Sequence, residues 1–197
     1  MSLFAALLVA SAQPAPAAQP ESATVTVADR QLLDAFRSVC DMVTDWEQLR
    51  QAAAAGGWSA VEESSHPQLA RINQVARGSA GNEGRLQLQS FARTDRPAPY
   101  YLVLSRFENQ QGRWGNSCRI YDLAAARPLD PSYLAVWMGR PPTGRQSFSG
   151  FGSNLLWEPG WREGLTVSVN HVPATSAFRE RYGLSGNVLV AQALGGN

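Results

Sequence analysis

Two cysteines, Cys40 and Cys118, constrain the fold of this 197-residue chain more than any other feature. An even count in a chain bound for an oxidising space reads as one disulfide. A bridge between them closes a loop of about 79 residues, and loss of chain entropy in the unfolded state then stabilises the fold by about 4 kcal/mol. Cys40 falls in the apolar stripe of the first expected helix and Cys118 in an expected central strand. The bridge would therefore staple a helix to a sheet. The alternative is a pair of buried free thiols acting as small apolar side chains. A nucleophilic thiol is a third reading; it would want a nearby histidine, and the buried face of a helix is a poor place for it.

The N-terminus points to that oxidising space. Leu3 to Ala10 is a short apolar run, followed by the small-residue triplets Ala10-Ser11-Ala12 and Ala15-Pro16-Ala17. A run of about eight apolar residues before such a triplet reads as a secretory signal peptide, too short to span a bilayer. Only the Met1 amino group supplies positive charge before it. The expected organisation is a signal peptide over residues 1–12, a flexible tether rich in Ala, Pro and Gln over 13–28, and one domain over 29–197. No second stretch reaches membrane length, so no integral membrane segment is expected. The expected location is periplasmic or secreted.

Periodicity supplies the elements. Leu32, Leu33, Phe36, Val39, Cys40 and Val43 share one side of a helix over residues 30–43, with Asp29 as its cap. Thr44 and Glu47 match a capping box for a second helix ending at Gly56-Gly57. Ser65-His66-Pro67 opens a short third helix. From residue 85 the period changes. Strands are expected over 85–91, 100–107 and 114–121, then a helix after Asp130-Pro131, then strands over 145–151, 155–157, 165–172 and 187–193. Helices lead, strands follow, and no helix separates most strands. The expected class is α+β, with a mainly antiparallel sheet and the N-terminal helices and one inserted helix packed on one face.

The segments Phe36-Arg37-Ser38-Val39-Cys40, Gly57-Trp58, Cys118-Arg119-Ile120-Tyr121-Asp122 and Trp137-Met138-Gly139-Arg140-Pro141 resemble those of uncharacterised exported proteins of alphaproteobacteria. Such proteins carry no assigned activity. The resemblance implies export and a disulfide and transfers no catalytic residue.

Net charge is +1 and the charges are interspersed, which argues against a nucleic-acid partner. All 17 basic residues are arginine, scattered as codon bias would scatter them. His66 and Glu63 have helical metal-ligand spacing, but no second His or Cys lies near, and a loop or helix cap is the better reading. His171 shares the strand face of Leu165, Val167 and Val169. It reads either as a structural, hydrogen-bonded histidine or as the centre of an envelope hydrolase using a serine or acid from elsewhere. There is no Gly-x-Ser-x-Gly elbow. The segment Trp157-Glu158-Pro159-Gly160-Trp161-Arg162 combines a turn with aromatic and charged side chains. It reads either as a recognition patch or as a turn whose tryptophans fold back onto the core. Nothing indicates a cofactor or a metal. The leading expectation is a non-catalytic exported domain that binds a small ligand, an envelope component or a protein partner.

Overall fold

The computed structural model describes residues 25–81, 84–96, 98–148 and 152–196. The expected signal peptide and most of the expected tether lie outside them. The first helix, α1 (Val27–Cys40), starts earlier than periodicity suggested. Thr26 Oγ1 accepts from the Asp29 amide at 3.1 Å, and Asp29 Oδ2 accepts from the Thr26 amide at 2.8 Å. This reciprocal cap satisfies two otherwise orphaned donors, so Thr26 rather than Asp29 caps the helix. Residues 27 and 28, expected in the tether, belong to the domain. Tyr100 fixes them there by donating its hydroxyl proton to the Ala28 carbonyl at 3.1 Å.

In α2 (Trp46–Ala55) the cap is Asp45, one residue past the expected Thr44. The carboxylate of Asp45 accepts from the amides of Glu47 and Gln48, each at 3.0 Å. A charged acceptor satisfies a helix N-terminus better than a hydroxyl. Thr44 is left to accept from Arg162 at 3.2 Å.

The remaining elements are β1 (Ser59–Ala60), α3 (Pro67–Ala80), β2 (Gly84–Arg93), β3 (Tyr100–Asn109), β4 (Trp114–Asp122), α4 (Pro131–Met138), β5 (Gly144–Phe148), β6 (Gly152–Trp157), β7 (Leu165–Val172), α5 (Ala177–Tyr182) and β8 (Gly186–Gly195). The strands form one eight-stranded sheet in the order β1-β2-β3-β4-β8-β7-β6-β5. Every pairing is antiparallel. The chain meanders through β2, β3 and β4, crosses to the far edge by way of α4, and meanders back until β8 pairs with β4. The α+β class is as the order of elements implied.

The two sheet faces are unlike. Alternation along β3, β4, β7 and β8 sends Leu102, Leu104, Cys118, Ile120, Val167, Leu189 and Ala191 to one side. There they meet Leu32, Leu33, Phe36 and Val39 of α1, Leu49 of α2 and Leu134 of α4. The disulfide Cys40–Cys118 lies in this layer, with 5.4 Å between the Cα atoms, inside the ordinary range. Cys40 ends α1 and Cys118 sits mid-strand, so the bridge fixes a helix end to the sheet centre. The opposite face carries a smaller cluster of Leu69, Ala92, Tyr101, Val103, Tyr121 and Val188. Here the expectation of helices on one face is corrected. Helix α3 buries Leu69 and half-buries Ile72 on this second face, because Ala92, Tyr101 and Val103 point away from α1 and need cover. The six-residue α5, capped by Ser176, had no counterpart in the sequence reading.

Candidate functional site

The turn after β6 is a docking contact within the fold. Trp157 has 0% exposure and donates Nε1–H to the Arg140 carbonyl at 3.1 Å. Of the two readings of this turn, Trp157 follows the one in which the tryptophan folds back onto the core, because its position on the inward face of β6 places it there. Gly160 permits the tight fold of this turn, since a Cβ there would lie 2.8 Å from Val167 Cγ2. Trp161 is half-buried and donates Nε1–H to Asp41 Oδ1 at 2.7 Å, while its ring meets Phe36 edge-on at 5.6 Å. Arg37 spreads over Trp137 and Trp161 at 5.6 and 5.2 Å, an internal cation–π stack. Arg162 donates to the Asp41 carbonyl and to Thr44. Glu158 is exposed and only its amide is engaged, donating to Thr143 Oγ1 at 3.0 Å. The polar ends of the turn are thus spent on the end of α1.

His171 is buried, and its Nδ1 lies 2.9 Å from Asn187 Oδ1. The Asn187 amide nitrogen donates to the Arg127 carbonyl at 3.1 Å, which fixes the amide orientation and turns Oδ1 toward the ring. An amide oxygen only accepts, so Nδ1 carries the proton and Nε2 is the basic nitrogen. Burial holds the His171 pKa below its ordinary value, and the bond from Asn187 only partly offsets this. The ring is neutral at physiological pH. Ser153 lies opposite His171 in the β6–β7 register. Among the described residues no serine or carboxylate hydrogen-bonds to His171. His66 caps α3: its Nδ1 accepts from the Gln68 amide at 3.2 Å, and its ring lies 5.2 Å from that of Tyr101.

The second sheet face holds a feature that the sequence reading missed. A cavity of about 250 Å³ opens between the sheet and the α5 segment. Its sheet side comes from β4, β8, β7 and β6 in register. Tyr121 pairs with Val188, Val188 with Asn170, and Asn170 with Asn154. One step along, Arg119 pairs with Val190. Phe178 and Leu184 wall the outer side. The wall is anchored to α3, because the Ser185 amide donates to Gln68 Oε1 at 3.0 Å and Gln68 Nε2 donates back to Ser185 Oγ at 3.4 Å.

The polar groups are set by their neighbours. Asn170 Nδ2 donates to the Val188 carbonyl at 3.3 Å and to Ser168 Oγ at 3.2 Å. Its Oδ1 therefore faces β6 and accepts from Asn154 Nδ2 at 2.5 Å. That leaves Asn154 Oδ1 as an acceptor with no partner among the described residues. Arg119 Nη1 donates to Ser105 at 3.2 Å, and its other nitrogens make no hydrogen bond there. Burial pushes the Tyr121 hydroxyl above its ordinary pKa of 10.0, partly offset by Arg119, so it stays a proton donor. The signal for this site was a lone arginine within the otherwise apolar run from Cys118 to Tyr121.

A second cavity of about 360 Å³ lies between α1 and the β2–β3 connection. Its charges balance: Asp34 and Asp95 face Arg93 and Arg96, and Arg93 already pairs with Asp95 at 3.2 Å. Among the described residues no group of three or more His, Cys, Asp or Glu could hold a metal ion, and no helix is long and apolar enough to cross a membrane. Comparison with family models, with known proteins and with solved structures returns no match.

Proposed function

We propose that this chain is a non-catalytic exported domain, periplasmic or secreted, that binds a small ligand in the cavity between the sheet and α5. The observation that carries the reading is the cavity's make-up. Val188, Val190, Leu184 and Phe178 form apolar walls around Arg119, Tyr121 and Asn154, a few polar groups with open hydrogen-bonding capacity. Binding sites combine these two elements. The disulfide fits an oxidising compartment, and the apolar N-terminal run with its small-residue triplets supports export. The resemblance to exported alphaproteobacterial proteins agrees with that location.

Ligand-observed NMR of the oxidised protein against a library of small amphipathic fragments tests the reading. The expected result is a set of binders that Val190→Trp, which fills the cavity, displaces. Binders untouched by Val190→Trp, or no binder at all, would count against it.

The hydrolase reading keeps one observation in its favour, the row Ser153–His171–Asn187 across β6, β7 and β8. A fluorophosphonate probe decides it. Labelling of Ser153 that is lost in His171→Gln would establish a nucleophile; an unlabelled chain would leave His171 as a structural residue.

A further inference from the structure

The charge and length of the cavity narrow its ligand beyond the reading above, on which this inference rests. Among the residues lining it Arg119 is the one formal charge, since His171 is neutral and no Asp or Glu is present. A half-buried guanidinium with unbonded N–H groups and no carboxylate neighbour favours an anion, and its planar fork suits a carboxylate. Tyr121 stands two residues along the same strand face, about 7 Å away by strand geometry, and offers a second donor. Asn154 lies three strands across from Tyr121, about 14 Å by Cα spacing, and presents the acceptor Oδ1. Val188, Val190 and Asn170, whose amide is already engaged by Asn154, Ser168 and the Val188 carbonyl, lie between these polar ends. The volume of about 250 Å³ equals that of roughly eight waters, which suits a compact ligand rather than a lipid chain or a peptide.

We infer that the cavity takes a small monocarboxylate with an apolar, ring-sized body and a hydrogen-bond donor at its far end. The carboxylate sits at Arg119 and Tyr121, the body lies over Val188 and Val190, and the donor reaches Asn154 Oδ1. An ammonium at the carboxylate end is excluded by Arg119.

Calorimetric titration of the oxidised full chain with benzoate, 4-hydroxybenzoate, benzyl alcohol and benzylamine tests this. Benzoate should bind about tenfold or more tighter than benzyl alcohol, as a charge-assisted contact implies. 4-Hydroxybenzoate should bind tighter still, and benzylamine weakest. Arg119→Gln should erase the advantage of benzoate and leave benzyl alcohol unchanged; Asn154→Ala should erase only the gain from the 4-hydroxyl. Benzyl alcohol equal to benzoate, or benzoate binding that survives Arg119→Gln, would overturn the carboxylate assignment while leaving the cavity as a binding site. No binding of any of the four compounds, while library fragments still bind and are displaced by Val190→Trp, would overturn the inference and leave the reading beneath it standing.

Discussion

The two faces of one sheet have been put to different uses. The face under α1, α2 and α4 is apolar almost without interruption, holds Trp157 and Phe36 at 0% exposure, and is crossed by the disulfide. The face under α3 and α5 holds the smaller apolar cluster and carries Ser105, Arg119, Asn154, Ser168 and Asn170 among its valines. Alternation along each strand makes the division possible, since neighbouring residues point to opposite sides. Cys118 and Ile120 hold the fold, while Arg119 and Tyr121, interleaved with them, face the cavity. A site built on the back of a rigid core gains fixed geometry without weakening that core.

That division is open to mutation. Trp157→Ala should be the most damaging change, lowering stability by about 3–5 kcal/mol through the cavity it leaves. Chemical denaturation measures it, and a loss under about 1 kcal/mol would show that the disulfide face is not where stability lies. Replacing both Cys40 and Cys118 by alanine should cost about 2–5 kcal/mol by the same measurement and leave ligand affinity nearly unchanged. Arg119→Ala should show the reverse pattern, a stability change of about 1 kcal/mol or less with a loss of carboxylate binding of about tenfold.

The pH dependence is a smaller effect with a definite sign. Burial keeps the folded pKa of His171 below its ordinary value of 6.5, so the unfolded chain binds the proton more readily. Stability from this group is fully present above about pH 6.5 and falls as pH drops below it toward the folded pKa. Asp122, in register with Asn187, is raised by burial and acts with the opposite sign, so the wild-type profile alone does not isolate the histidine. Melting temperature of wild type minus that of His171→Gln isolates it. The difference should fall on acidification from pH 7 toward 5, and a flat difference would refute the neutral, buried assignment. The smallest effect belongs to the exposed pair Arg50–Glu47 at 3.0 Å, where Glu47→Gln should cost about 0.5 kcal/mol or less.

Much of the architecture was legible in local pattern. The stripe Leu32–Leu33–Phe36–Val39–Cys40 defined α1 and its buried side, Asp130-Pro131 marked the start of α4, and the alternation from Leu165 to Val172 gave β7 its bounds. The cysteine count led to the bridge. What stayed hidden depends on contacts distant in sequence. Helix α3 has apolar residues that fit either face, and only the strand order decides which one needs cover. Helix α5 is too short for its period to register. The turn at Trp157–Arg162 showed the residue types of a recognition patch, but Asp41 and Thr44, which occupy Trp161 and Arg162, lie more than a hundred residues earlier. The cavity draws two or three residues from each of four strands and becomes visible only once β4 and β8 are paired.

Amide and methyl NMR spectra of the labelled, oxidised protein, recorded while benzoate is added, compare the two faces in one measurement. The shifts should cluster at Arg119, Val172, Leu184, Val188 and Val190, with Phe36, Trp137 and Trp161 unmoved. Shifts centred on Trp137 and Trp161 instead, with the valines of the cavity silent, would contradict the assignment of binding to the α3 and α5 side.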